Sequence, residues 1–70
     1  MRLGISIKRY REKNNLTLRA FASRVGCSYE YIRQIEDTEF TPTNINKLIP
    51  ILKELNIPLE QFLSEQEGNK

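Results

Sequence analysis

Apolar residues recur at three- and four-residue intervals in five successive blocks along this 70-residue chain. Leu3, Ile7 and Tyr10 are spaced i, i+4, i+7 and predict a first helix ending near Asn14, with Asn15 able to take the left-handed conformation that closes it. Leu18, Phe21, Ala22 and Val25 make one face of a second helix over 17–25, with Thr17 as N-cap and Gly26 just beyond its end. Ser28 offers another N-cap only two residues later, opening a third helix over 28–36 with Ile32 and Ile35 turned inward. Residues 37–43, DTEFTPT, read as a polar loop with Pro42 near its end. Thr43 or Asn44 then caps a fourth helix whose apolar face is Ile45, Leu48, Ile49, Leu52 and Leu55. Pro58 suits the first position of a fifth helix, and Leu59, Phe62 and Leu63 are expected to close the core. The last stretch, SEQEGNK, has no apolar residue. The expectation is an all-α compact bundle of five short helices over 1–63, with 64–70 as a flexible C-terminal tail.

Two places bend the pattern. The connection between the second and third helices is too short for an ordinary loop, so the two must cross steeply, and Ala22 is small enough to let them approach. Pro50 interrupts the fourth helix, where proline removes a backbone hydrogen bond and clashes with the preceding turn at a cost of ~3 kcal/mol or more. Its side chain falls on the solvent side of the wheel. One helix kinked near 46–50 is expected, with two separate pieces as the other reading.

Composition narrows the chemistry. Seventy residues make one small domain, which needs compact helix-on-helix packing in the absence of staples. One cysteine and no histidine leave neither a disulfide framework nor a typical zinc site. Cys27 is expected as a buried core thiol beside the turn. There is no Gly-rich phosphate loop, no carboxylate pair with acid–base geometry, and no base apparent near Cys27. No catalytic residue, metal ligand, cofactor or small-molecule ligand is therefore expected. No signal peptide and no apolar run near the ~20 residues of a membrane span are visible, and a cytoplasmic setting is the default expectation.

Net charge is only +2, but it is unevenly spread. Residues 1–35 carry eight Lys/Arg and two acids, a charge of +6; residues 36–70 carry three Lys and seven acids, a charge of −4. That split puts a positive field on the half holding the short turn. Ordinary mixed charge on surface helices is the alternative.

On a wheel at 100° per residue, Tyr29, Glu30, Arg33 and Gln34 fall within one arc of about 140°, opposite Ile32 and Ile35. A solvated polar face is the plain reading of such an arc. The steep turn would instead leave it protruding, which is the arrangement that seats a helix in a DNA major groove. Arg33 suits guanine, Gln34 adenine, and Glu30 the cytosine amino group; Tyr29 suits a thymine methyl or a phosphate. Thr17, Arg19, Ser28, Tyr31 and Lys8 are the candidates for phosphate contact, helped by the free amides at the two helix starts. Arg9 and Lys13 read as a solvated face of the first helix.

The spacing of Ala22, Gly26, Ile32 and Ile35 resembles the helix-turn-helix of the Cro/lambda-repressor-like (XRE) family of transcriptional regulators. The resemblance extends from about residue 5 to residue 63, and 56–63, NIPLEQFL, looks like that family's closing turn and short last helix. It implies that Tyr29, Glu30 and Gln34 match the usual base-reading positions, and that Arg11 and Glu36 match an interhelical ion pair. Two departures weaken the implied grip on DNA. Leu18 stands where a glutamine commonly contacts the backbone, and Glu39 stands at a loop position often basic or small.

The resemblance implies a sequence-specific, double-stranded DNA-binding transcriptional regulator, a dimeric repressor on a palindromic operator. Among the family's small stand-alone members it is similar to phage or mobile-element repressors and to restriction–modification controller proteins. The alternative is a protein-interaction module on the same scaffold, an antirepressor or antitoxin. One helix reads only a few base pairs, so a homodimer is expected, paired through the C-terminal half. Phe40, Ile51, Leu55, Leu59 and Phe62 are its candidate interface, unless Phe40 and Ile51 fold back onto the core.

Overall fold

Five α-helices follow one another through residues 2–38 and 40–67, which the computed structural model describes. They are α1 (Leu3–Lys13), α2 (Leu18–Val25), α3 (Tyr29–Thr38), α4 (Ile45–Leu55) and α5 (Leu59–Glu67). Glu39 and 68–70 of the expected tail lie outside the described residues.

Three of these helices end by one device. Asn15, Gly26 and Asn56 have φ of 55°, 71° and 62°, and each lets the next amide reach back to a carbonyl five residues earlier. These bonds are Leu16 to Arg11 at 2.8 Å, Cys27 to Ala22 at 3.0 Å and Ile57 to Leu52 at 2.9 Å. Each is accompanied by a shorter-range bond inside it, the pattern of a Schellman cap. The periodic pattern predicts the first two ends; Asn56 is the same chemistry at a third. Helix starts are side-chain capped at Thr17, Ser28 and, of the two candidates before α4, Asn44.

Side chains of all five helices meet in one core: Leu3 and Ile7; Phe21, Ala22 and Val25; Ile32 and Ile35; Leu48, Ile51 and Leu52; and Phe62. None is more than 5 % exposed. Burying each large member contributes about 1.5–3 kcal/mol. Helix α3 packs against α1 and α2, and α4 packs against α2 and α1. Helices α1 and α3 approach tightly at Gly4, where an added Cβ would come within 2.5 Å of the Ile35 carbonyl oxygen.

Several expectations change. Helix α4 is continuous through Pro50, so the two-piece reading fails, and Pro50 is half-buried rather than turned to solvent. Its core face is rolled by about 50° from the wheel's centre, toward Ile51. Ile51 is consequently 0 % exposed and Ile45 is turned outward. Ile51 and Phe62, at 0 % and 2 % exposure, are taken up by the protein's own core and leave no side-chain surface for a partner. Leu63, expected inside, is 45 % exposed; among the described α5 side chains Phe62 is the one buried in the core, with Leu59 packed at its edge. Pro58 stands one residue before α5, where its carbonyl accepts the first helical bond from Phe62 at 3.1 Å. Helix α3 runs two residues further than expected, and α5 continues through 64–67, so those tail residues are helical. Pro42, expected in a polar loop, is buried, and Cys27 is only partly buried against the core. No helix among the described residues is long and apolar enough to cross a membrane.

Candidate nucleic-acid interface

Two capped helix starts lie close together in sequence on either side of the Gly26 turn. The Thr17 hydroxyl accepts a hydrogen bond from the Ala20 amide at 3.0 Å, and the Ser28 hydroxyl accepts one from the Tyr31 amide at 3.1 Å. A hydroxyl that accepts keeps its own proton to donate, so both exposed caps can still bind an anion. The first amides of each helix have no carbonyl partner within it and add further donors.

Tyr29, Glu30, Arg33 and Gln34 are all exposed, and Ile32 and Ile35 opposite them are buried. The polar arc of α3 is thus the face that the domain presents. Glu30, Arg33, Gln34, Asp37 and Thr38 line one shallow depression on it. Arg33 Nε lies 3.2 Å from Asp37 Oδ2, with both side chains about 60 % exposed. At that exposure the pair contributes under about 1 kcal/mol, so a base or phosphate can draw Arg33 away. The i, i+4 spacing of Arg33 and Asp37 was a legible signal for this pair.

The phosphate candidates do not form one cluster. Arg19 leaves the start of α2 and places Cζ 4.5 Å from the centre of the Tyr29 ring. Tyr31 is half-buried, with Phe40 edge-on at 6.0 Å and Lys47 Nζ 5.1 Å above its ring. Burial raises the Tyr31 phenol above its ordinary pKa, which keeps it a neutral hydrogen-bond donor. Lys8 is exposed on α1, and among the described residues no hydrogen bond or ion pair ties it to either capped helix start. Leu18 is partly buried against the core. Lys47 carries no periodic or motif signal in the sequence; only the fold brings it to α3.

Behind this face, Arg11 and Glu36 form a two-bonded pair between α1 and α3, Nε to Oε2 at 2.8 Å and Nη2 to Oε1 at 3.0 Å. Arg11 Nη1 also donates to the Leu16 carbonyl at 3.1 Å, so the side chain holds the turn before α2 as well. Hydrogen bonding to Glu36 raises the Arg11 pKa further. A second tie has no counterpart in the sequence reading. Glu54 Oε2 accepts from the Tyr10 hydroxyl at 2.5 Å and from Arg24 Nη1 at 3.1 Å, joining α1, α2 and α4. The Tyr10 hydrogen bond and then Arg24 hold the Glu54 carboxyl below the usual carboxylate range. The Tyr10 phenol is correspondingly raised, so the proton sits on the phenol.

Among the expected dimer residues not in the core, Phe40 is 37 % exposed, while Leu55 and Leu59 are half-buried against it. The helix-turn-helix domain family model matches residues 4–68. No curated protein and no solved structure matches the chain. With α2, a left-handed Gly26 turn and an outward-facing α3 in that order, the chain belongs to the helix-turn-helix domain family, of the XRE-like type.

Proposed function

We propose that this protein is a sequence-specific, double-stranded DNA-binding transcriptional regulator that acts as a homodimeric repressor on a palindromic operator. The observation that carries the reading is the exposed arc of Tyr29, Glu30, Arg33 and Gln34 on α3, beside two capped helix starts that retain anion-binding donors. In this reading α3 enters the major groove, Gln34 and Arg33 pair with adenine and guanine, and Glu30 accepts from cytosine. Thr17, Ser28 and Arg19 hold the phosphates.

Selection of bound sites from a random duplex pool tests the assignment, with a palindrome of half-sites about one helical turn apart as the expected product. On that site Gln34→Ala and Arg33→Ala should each cost ~1–3 kcal/mol and relax discrimination at one base position. If both variants bind specific and random duplex as the parent does, α3 is not the reading face.

Pairing is assigned to the C-terminal half, through Phe40, the half-buried Leu55 and Leu59, and Leu63, whose exposure replaces the anchors lost to the core. Sedimentation of the parent should show a dimer, and a Phe40→Ser/Leu63→Glu variant a folded monomer. A parent that stays monomeric at high micromolar concentration and on its DNA site would sink the dimer.

A protein-interaction module is the second reading, favoured by Glu30 and Asp37 on the presented face. Such a module would show no salt-dependent binding to random duplex.

A further inference from the structure

We propose that Tyr29 and Tyr31 are positioning residues that hold two cations, Arg19 and Lys47, as phosphate grips on opposite flanks of α3. The inference rests on the DNA-binding reading above and deepens it. Among the described residues, Arg11 and Arg24 are held by Glu36 and Glu54, and Arg33 rests against Asp37 in an exposed pair that a base can displace. Arg19 and Lys47 differ in kind. Arg19 Cζ sits 4.5 Å from the Tyr29 ring centre and Lys47 Nζ 5.1 Å from that of Tyr31. Among the described residues, neither has a carboxylate within ion-pair distance. An aromatic face attracts a cation through its quadrupole without cancelling the charge, so each cation is oriented and yet still fully able to bind an anion.

The placement matches a duplex. At 100° per residue, Tyr29 and Tyr31 stand about 200° apart on α3, with Glu30, Arg33 and Gln34 between them on the outward side. One cation comes from the start of α2 and the other from the first turn of α4, so the two bracket the reading face. A major groove about 12 Å wide has a phosphate backbone on each side of the helix that enters it. Tyr31 is a firm platform, half-buried and braced edge-on by Phe40. Seating a long side chain before binding removes part of the ordering cost that the complex would otherwise bear.

The experiment is a salt titration of binding to the selected duplex, with ring-current shifts of the free protein measured beside it. Arg19→Ala and Lys47→Ala should each flatten the slope of log affinity against log salt by about 0.9, one phosphate's worth. Tyr29→Leu should weaken binding about two- to fivefold, the strength of an exposed cation–π contact. It should add nothing in an Arg19→Ala background, and Tyr29→Phe should regain most of the loss. In the parent, the Arg19 δ and Lys47 ε methylene protons should be shifted upfield by the rings. Methylene resonances at random-coil positions, a Tyr29→Leu loss undiminished without Arg19, or a slope unchanged by Lys47→Ala would each overturn the inference while leaving DNA binding intact. A parent with no salt-dependent duplex binding would overturn the DNA-binding reading and this inference with it.

Discussion

A Cβ placed on Gly26 would meet nothing within 4 Å, whereas one on Gly4 would press into the Ile35 carbonyl and the Glu36 Cα. Gly26 is therefore constrained only by its φ of 71°, and Gly4 only by space. Gly26→Val should lower the melting temperature more than Gly26→Asn, because left-handed backbone costs an ordinary L-residue about 1–2 kcal/mol and asparagine less. Equal melting temperatures would show that the turn relaxes. Gly4→Ala should cost ~1–3 kcal/mol by overpacking, read as a shift in the urea midpoint without a change in slope. The first constraint was legible because caps and apolar spacing on both sides of Gly26 mark it locally. The second was not, since the backbone that excludes a side chain at Gly4 belongs to a helix some thirty residues on.

Among the elements, the ion pair and the three-helix tie respond to different perturbations. Glu36 keeps 8 % and Arg11 18 % of its side-chain surface, so the pair is close to buried. Arg11→Ala leaves Glu36 uncompensated and frees the Leu16 carbonyl, and the expected loss is about 3 kcal/mol in chemical denaturation. The tie at Glu54 is sensitive to acid. Its carboxyl titrates lower in the folded chain than in the unfolded one, so the contribution is complete above the ordinary carboxylate pKa and lost as pH falls through the depressed value. Glu54→Gln should flatten the acid limb of the stability curve; an unchanged limb would show that the tie is not formed in solution. Resemblance pointed to Arg11 and Glu36, but Tyr10, Arg24 and Glu54 carry no such mark because their meeting depends on how α4 is rolled. That roll also explains the lost anchor at Ile51. With five apolar positions and Ile51 beside them, the helical wheel of α4 fits more than one orientation, and only contact with α1 and α2 selects among them.

For the whole molecule, the split of +6 and −4 between the halves contributes to cohesion. Glu36, Asp37 and Glu54 of the acidic half each pair with an arginine of the basic half, so at least three of its eight cations are engaged. Sequence order alone could suggest the attraction but not which charges the fold would neutralise. The helix count, the Gly26 turn and the outward arc were legible because each rests on residues near one another in the chain. What stayed hidden was decided between distant elements: the roll of α4, the seat of Lys47, and the insertion of Phe62. Among the described α5 side chains Phe62 is the one fully within the core, a slender attachment for a terminal helix. Its amides should exchange with deuterium by local opening, ahead of those in α2 and α3, which await global unfolding. Uniform protection across the five helices would show that α5 cannot open alone. Pairing of two copies through this helix would slow its exchange as concentration rises, making one helix's isotope uptake a gauge of how much protein is assembled.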